Sequence, residues 1–137
     1  MARKSWSEKF AASKTHEVKA APADFADIKA GQAMLLTSAQ DVADFLGRLP
    51  KGSEVDIRGL RTGLAKAAGA DIACPVVTGI CLRIAAEYAG EKLDAGIAAS
   101  KVPPVWRAMP PKATIWKKLE NGAEKFRELR AAEGLAV

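Results

Sequence analysis

Apolar and polar positions follow one another with changing periods along the chain, and the changes mark its elements. Residues 1 to about 30 are polar and lysine-rich; within them Trp6 and Phe10, four apart, predict one or two short amphipathic turns on a basic arm that docks loosely. Ala33-Met34-Leu35-Leu36 reads as a short strand or extended lead-in. Ser38 then offers a hydroxyl able to cap a helix, with the carboxylate of Asp41 three residues on. Val42, Phe45 and Leu46 form the apolar face of that helix, and Pro50 ends it.

Pro50-Lys51-Gly52 is a turn. Beyond it Asp56 is the expected cap of a second helix, with Ile57, Leu60 and Leu64 on one face and Gly69 as its stop. Cys74-Pro75 opens a third, with proline at the first position, where its missing N–H costs nothing. Val77, Ile80, Cys81, Ile84 and Tyr88 recur at helical spacing, and Val76 and Leu82 widen the apolar face, so burial on more than one side is expected. Gly90 suits a left-handed cap, with a short helical piece from Leu93 to Ala99 after it. The prolines in Lys101 to Arg107 predict extended backbone, and Pro110 to Trp116 is a second rigid stretch, suited to a hairpin or wing. Asn121-Gly122 punctuates it. A last helix from about Ala123 to Glu133 turns Phe126 and Leu129 inward and its lysines and arginines outward, with Gly134 as its stop. The expected fold is therefore mainly α: a winged helix-turn-helix-like three-helix core with a short extended wing and a C-terminal helix. Residues 31–137 form that domain and residues 1–30 the arm.

Composition narrows the class. A chain of 137 residues suits one core, and 49% hydrophobic with 27% charged residues is globular composition. No apolar run of about 18 residues is present, which excludes a bilayer-spanning helix. The charged start, Met1 to Lys9, lacks the apolar stretch of a secretory signal, so the expected home is the cytoplasm. Cys74 and Cys81, seven apart, would lie about 10 Å apart along a helix, too far for a disulfide. With no CxxC spacing and a single histidine, His16, neither a metal site nor a cofactor is expected. Cys74 at a helix start is the one candidate thiol nucleophile, against the plainer reading of a small, half-buried packing residue. Cys81 reads as packing, and His16, with no carboxylate placed for a dyad, as exposed and inert.

The formal net charge of +5 and a pI of about 9.4 make a polyanionic partner worth weighing. The basic excess lies in two segments rather than a tail: Arg48 to Lys66, and Lys101 to Val137. From these, Lys51, Arg58 and Arg61 are candidates to neutralise phosphates from the turn and the second helix, and Arg107 and Lys112 from the wing side. The alternative for each is an ordinary solvated face. On the third helix Thr78 is a further candidate DNA contact, but Thr78 and Arg83 are its only polar side chains before Glu87, too few for base readout, so sequence-specific regulation is not expected.

Four places carry a resemblance. They are Leu49-Pro50-Lys51-Gly52-Ser53-Glu54-Val55, Pro75 through Gly79, Pro104-Val105-Trp106-Arg107, and Asn121-Gly122-Ala123-Glu124 followed by Leu129 to Glu133-Gly134. In this order, from about Asp41 to Leu135, the chain resembles the DNA-binding domain of the alkylguanine DNA alkyltransferases and their alkyltransferase-like relatives. The first stretch resembles the family's Pro-x-Gly-x-Val lead into the helix-turn-helix, the second the opening of its recognition helix. The third resembles its Pro-Cys-His-Arg active-site motif, and the last its closing helix. Val105 and Trp106 stand at the Cys-His positions, and valine offers no nucleophile, so no alkyl transfer is expected there. Arg107 and Glu133 match, but with no histidine to orient, Glu133 reads instead as a residue that ends or salt-bridges the last helix. The family tyrosine and intercalating arginine fall near Ile57 and Val76, which puts base flipping in doubt.

The resemblance thus implies a non-catalytic protein that contacts double-stranded DNA through phosphates, senses modified bases, and recruits a repair partner. Pro104, Val105, Trp106 and Glu133 would line a vestigial pocket, with Trp106 either stacking on a base or plugging the pocket. An open space beside Val105 would favour sensing; a filled one leaves generic binding. The alternatives are a protein-interaction module without nucleic-acid binding, and a thiol enzyme using Cys74.

Overall fold

The computed structural model describes residues 5–137; the charged start Met1-Ala2-Arg3-Lys4 lies outside them. Helix α1 (Trp6–Ala12) forms because Ser5 and Glu8 cap one another reciprocally: the Glu8 N–H donates to Ser5 Oγ at 3.1 Å and the Ser5 N–H to Glu8 Oε1 at 3.0 Å. Strand β1 (Glu17–Ala20) pairs antiparallel with β2 (Ala33–Leu36), placing Val18 opposite Leu35. Strand β3 (Ile72–Ala73) pairs parallel on the other edge of β2, so the connection from β2 must cross over. Helices α2 (Ala39–Gly47) and α3 (Ile57–Ala68) make that crossover. Helix α4 (Pro75–Asp94) runs for 20 residues through the middle, and α5 (Ala123–Ala132) closes the chain. Five α-helices and three short strands, among the described residues, make a mixed α/β structure that is 52% helical.

Local signals placed most boundaries. Ser38 accepts from the Asp41 N–H, Asp56 accepts from the Gly59 N–H at 2.8 Å, Gly69 is left-handed at φ 70°, and Pro75 opens α4. The main core joins Leu35, Val42, Leu46, Leu60, Leu82, Val105, Met109 and Phe126; a second, smaller cluster holds Ala21, Ile28, Met34 and Cys74 under the β1–β2 connection. Gly63 lets α3 approach α2, since a Cβ there would stand 2.3 Å from the Phe45 ring.

Several expectations are corrected. Residues 5–30, expected as a loosely docked arm, are packed on the rest: Phe10 stacks on Tyr88 with ring centroids 4.1 Å apart, Ser13 Oγ accepts from the Ala39 N–H at 2.7 Å, and Ile28 is wholly buried. Gly90 does not end α4. It sits inside the helix because a Cβ would strike the Asn121 carbonyl oxygen at 2.6 Å, and α4 simply continues through Leu93 to Asp94. Lys101 to Arg107 is not uniformly extended, since a 3-10 turn forms over Val105–Ala108, with the Pro104 carbonyl accepting from the Arg107 N–H at 3.1 Å. Pro110 to Trp116 forms no hairpin; another 3-10 turn, Thr114–Lys117, takes its place. On α3 and α4, Ile57 and Ile80 face outward rather than inward. Arg130 points inward, wholly buried, donating to the Trp106 carbonyl at 2.7 Å and the Ala136 carbonyl at 2.9 Å and pairing with Glu54.

Candidate functional site

Two places concentrate charge. The first is built around Glu133, at the end of α5. Its carboxylate accepts from the Gly52 N–H at 2.8 Å, the Trp106 indole N–H at 2.8 Å, and Arg107 Nε at 2.9 Å. Arg107 also donates to the Leu49 carbonyl at 3.0 Å, which ties the turn after α2 to the 3-10 turn and to α5. Burial alone would raise the Glu133 pKa, but the Arg107 guanidinium, the Trp106 indole and the Gly52 amide outweigh it and hold it down at about 2. Trp106 is only 4% exposed and lies 6.3 Å from the Phe126 ring, while Val105 is 0% exposed. Val105 lines neither of the two clefts described below, whereas Trp106 borders one of them.

The second place is a groove of about 940 Å³ between the starts of α3 and α4, the 108–118 segment and α1. Its floor is aliphatic: Ile57, Val76 and Ile80 are 44%, 60% and 55% exposed. Lys9, Lys112 and Lys118 stand on its walls outside any ion pair of the described residues, and Arg83 is paired with Glu87 and Glu120. Asp56 is the carboxylate on the wall, and its Oδ1 is already engaged as the α3 cap. Trp6 completes the wall, with Lys9 Nζ 4.0 Å and the Arg83 guanidinium carbon 5.2 Å from its ring.

The expected phosphate contacts divide sharply. Lys51 on the turn, Arg58 on α3 and Lys112 before the last 3-10 turn are exposed and outside every ion pair of the described residues. Arg61 is not available: it holds Asp27 through two hydrogen bonds of 3.0 and 2.8 Å and donates to the Ala73 carbonyl. That hydrogen bonding keeps the Asp27 carboxyl below its ordinary range. Thr78 is wholly buried, its hydroxyl donating to the Cys74 carbonyl at 2.7 Å. Arg107 is occupied by Glu133. Pro104, Trp106 and Glu133 border the second cleft, of about 720 Å³, together with Lys51 and Tyr88.

Trp6, Lys9 and Lys118 at the groove escaped the sequence reading, because nothing local shows that α1 reaches α4. Cys74 is 6% exposed in the small cluster, a packing residue. Cys81 donates to the Thr37 carbonyl at 3.5 Å, and burial pushes its thiol pKa up. His16 is not without a carboxylate: its Nδ1 lies 2.6 Å from Asp41 Oδ2. Among the described residues no cluster of three or more His, Cys, Asp or Glu could hold a metal ion, and no helix is long and apolar enough to cross a membrane. Compared with known proteins, the chain matches no family model, no curated protein and no solved structure.

Proposed function

We propose that the protein is a non-catalytic DNA-binding protein of the alkyltransferase-like kind, working in the cytoplasm and holding duplex phosphates without reading bases. The observation that carries this reading is that Lys51, Arg58 and Lys112 stay exposed and outside every ion pair of the described residues, while neighbouring arginines are tied into the fold. Phosphates reward such free cations, because each contact releases a condensed counterion. In this reading α3 and α4 serve as the helix-turn-helix, and the 104–118 segment stands in for a wing. The contact between Arg107 and Glu133, the two residues retained from the family's motifs, is in keeping with it.

Catalysis is left out of the proposal because buried Val105 carries no nucleophile. With Val105 wholly buried and lining neither cleft, an alkylated duplex is expected to bind no more tightly than an unmodified one. The test is anisotropy of a labelled duplex of about 20 base pairs between about 50 and 200 mM salt. Three contacts predict a slope of log affinity against log salt of about −2.7, and Lys112→Ala should reduce it by about 0.9. Absence of binding at about 50 mM salt would overturn the reading.

A further inference from the structure

Phosphate contacts leave one feature of the surface without a purpose. Helix α4 is apolar around most of its circumference, and one side is packed through Cys81, Leu82 and Ala85, yet Val76 and Ile80 on another side are uncovered. Ile57 at the start of α3 adds to them, so three β-branched aliphatic side chains from two helices share one concave floor. Scattered exposed aliphatics need no explanation, but three that line one groove beside cationic side chains form a surface that another molecule's apolar groups could cover.

We infer that the groove between α3, α4 and the 108–118 segment docks an acidic, amphipathic helical segment of a partner protein. The floor would take apolar side chains repeating at i, i+3, i+4 and i+7, and the walls would take acidic side chains flanking them. Charge complementarity selects that chemistry: Lys9, Lys112 and Lys118 lie outside ion pairs, and the carboxylate of Asp56 is engaged by the Gly59 amide. A basic or neutral amphipathic helix would bury its apolar face equally well but would leave the lysines unanswered. A DNA duplex would answer the lysines but offers phosphates and sugars, not aliphatic side chains, to the floor. The inference does not depend on DNA binding, although it uses the same elements, α3, α4 and the segment after them, and shares Lys112.

The probe is a fluorescein-labelled synthetic peptide of about 16 residues, with leucine at i, i+3, i+4 and i+7 and glutamate at flanking positions, titrated into the full chain. A scrambled peptide of the same composition is the control for charge alone. Expected are saturable binding of the patterned peptide and a loss of at least about tenfold in affinity for the scramble. The double variant Val76→Ser, Ile80→Ser should lose about as much while keeping the circular dichroism spectrum of the native chain. Lys112→Ala combined with Lys118→Ala should weaken the peptide and flatten its salt dependence. The inference is overturned if the patterned peptide shows no saturable binding up to about 1 mM, or if scramble and serine variant bind as well as the originals. It is equally overturned if the serine variant loses duplex affinity as strongly as peptide affinity, since the floor would then serve nucleic acid. Loss of duplex binding alone, with peptide binding intact, would sink the DNA reading and leave this one standing.

Discussion

Around Glu133 an arginine, an indole and a backbone amide close on one carboxylate, whereas around the α3–α4 groove lysines outside any ion pair of the described residues stand beside bare isoleucine and valine. Both regions draw on the same basic excess. They differ in what each charge meets. At Glu133 the partners are other parts of this chain, so removing one leaves buried polar groups without hydrogen bonds. At the groove the lysines have no ion-pair partner among the described residues, and removing one leaves its place to water. The first arrangement holds three segments together; the second is open to a second molecule.

Glu133→Ala should separate the two regions most strongly. It leaves the Arg107 guanidinium, 12% exposed, without its carboxylate and should cost about 3–5 kcal/mol. A urea titration would show this as a lower midpoint at unchanged slope. A midpoint within error of the native chain would mean that the cluster is not what fastens the fold.

Acid should act at the same point. Glu133 has its folded pKa lowered to about 2 from an ordinary 4.5, so its contribution is present above pH 4.5 and is lost as the pH falls from there toward 2. A shift of that size corresponds to about 3 kcal/mol. Urea midpoints measured across the window should fall steeply in the native chain and more gently in Glu133→Gln. Parallel curves would assign the acid sensitivity to other carboxylates.

A smaller effect is expected at the crossing of α4 and the segment before α5, where Gly90 faces Asn121 and Gly122. Gly90→Ala forces a methyl against backbone rather than a flexible side chain, and should cost about 1–3 kcal/mol by thermal melting despite the better helix propensity of alanine. An unchanged or raised melting temperature would show that the segment can move aside. The smallest effect is predicted on the groove floor, where Val76→Ser with Ile80→Ser should change stability by no more than about 1 kcal/mol, two exposed substitutions together. A larger loss would mean that the floor belongs to the core and is not a free surface.

How much of this was readable in the sequence depended on the range of the interaction. Ser38, Asp56, Gly69 and Pro75 act within one helical turn of their own positions, and each marked its boundary correctly. Gly90 has the same composition signal as a helix stop, but its role is set by Asn121, far along the chain, so the local reading failed. Tyr88 looked like one more residue of an apolar face, and only the fold shows that Phe10 of α1 covers it. The proline-rich segment was expected to be straight because proline disfavours helical backbone before it; the turn at Val105 starts after Pro104, where that restriction no longer acts. For Arg130 the signal was present and overlooked, since it follows Phe126 by four residues and so shares its inward face. At the candidate site, Lys51, Arg58 and Lys112 stood on the surface as expected, whereas Arg61, Thr78 and Arg107 were claimed by Asp27, Cys74 and Glu133, partners that charge counting does not reveal.

The hydrogen bond from Gly52 to Glu133 joins positions 81 apart in a chain of 137 and works as a clasp across more than half of the polypeptide. The exposed bend at Gly96-Ile97-Ala98 lies inside the loop so closed, after the end of α4 and before the buried 3-10 turn. A nick at that bend would leave each fragment holding one jaw of the clasp and a share of the core. The two pieces, produced separately, should reassemble on mixing, which makes the chain a natural candidate for a split-protein reporter.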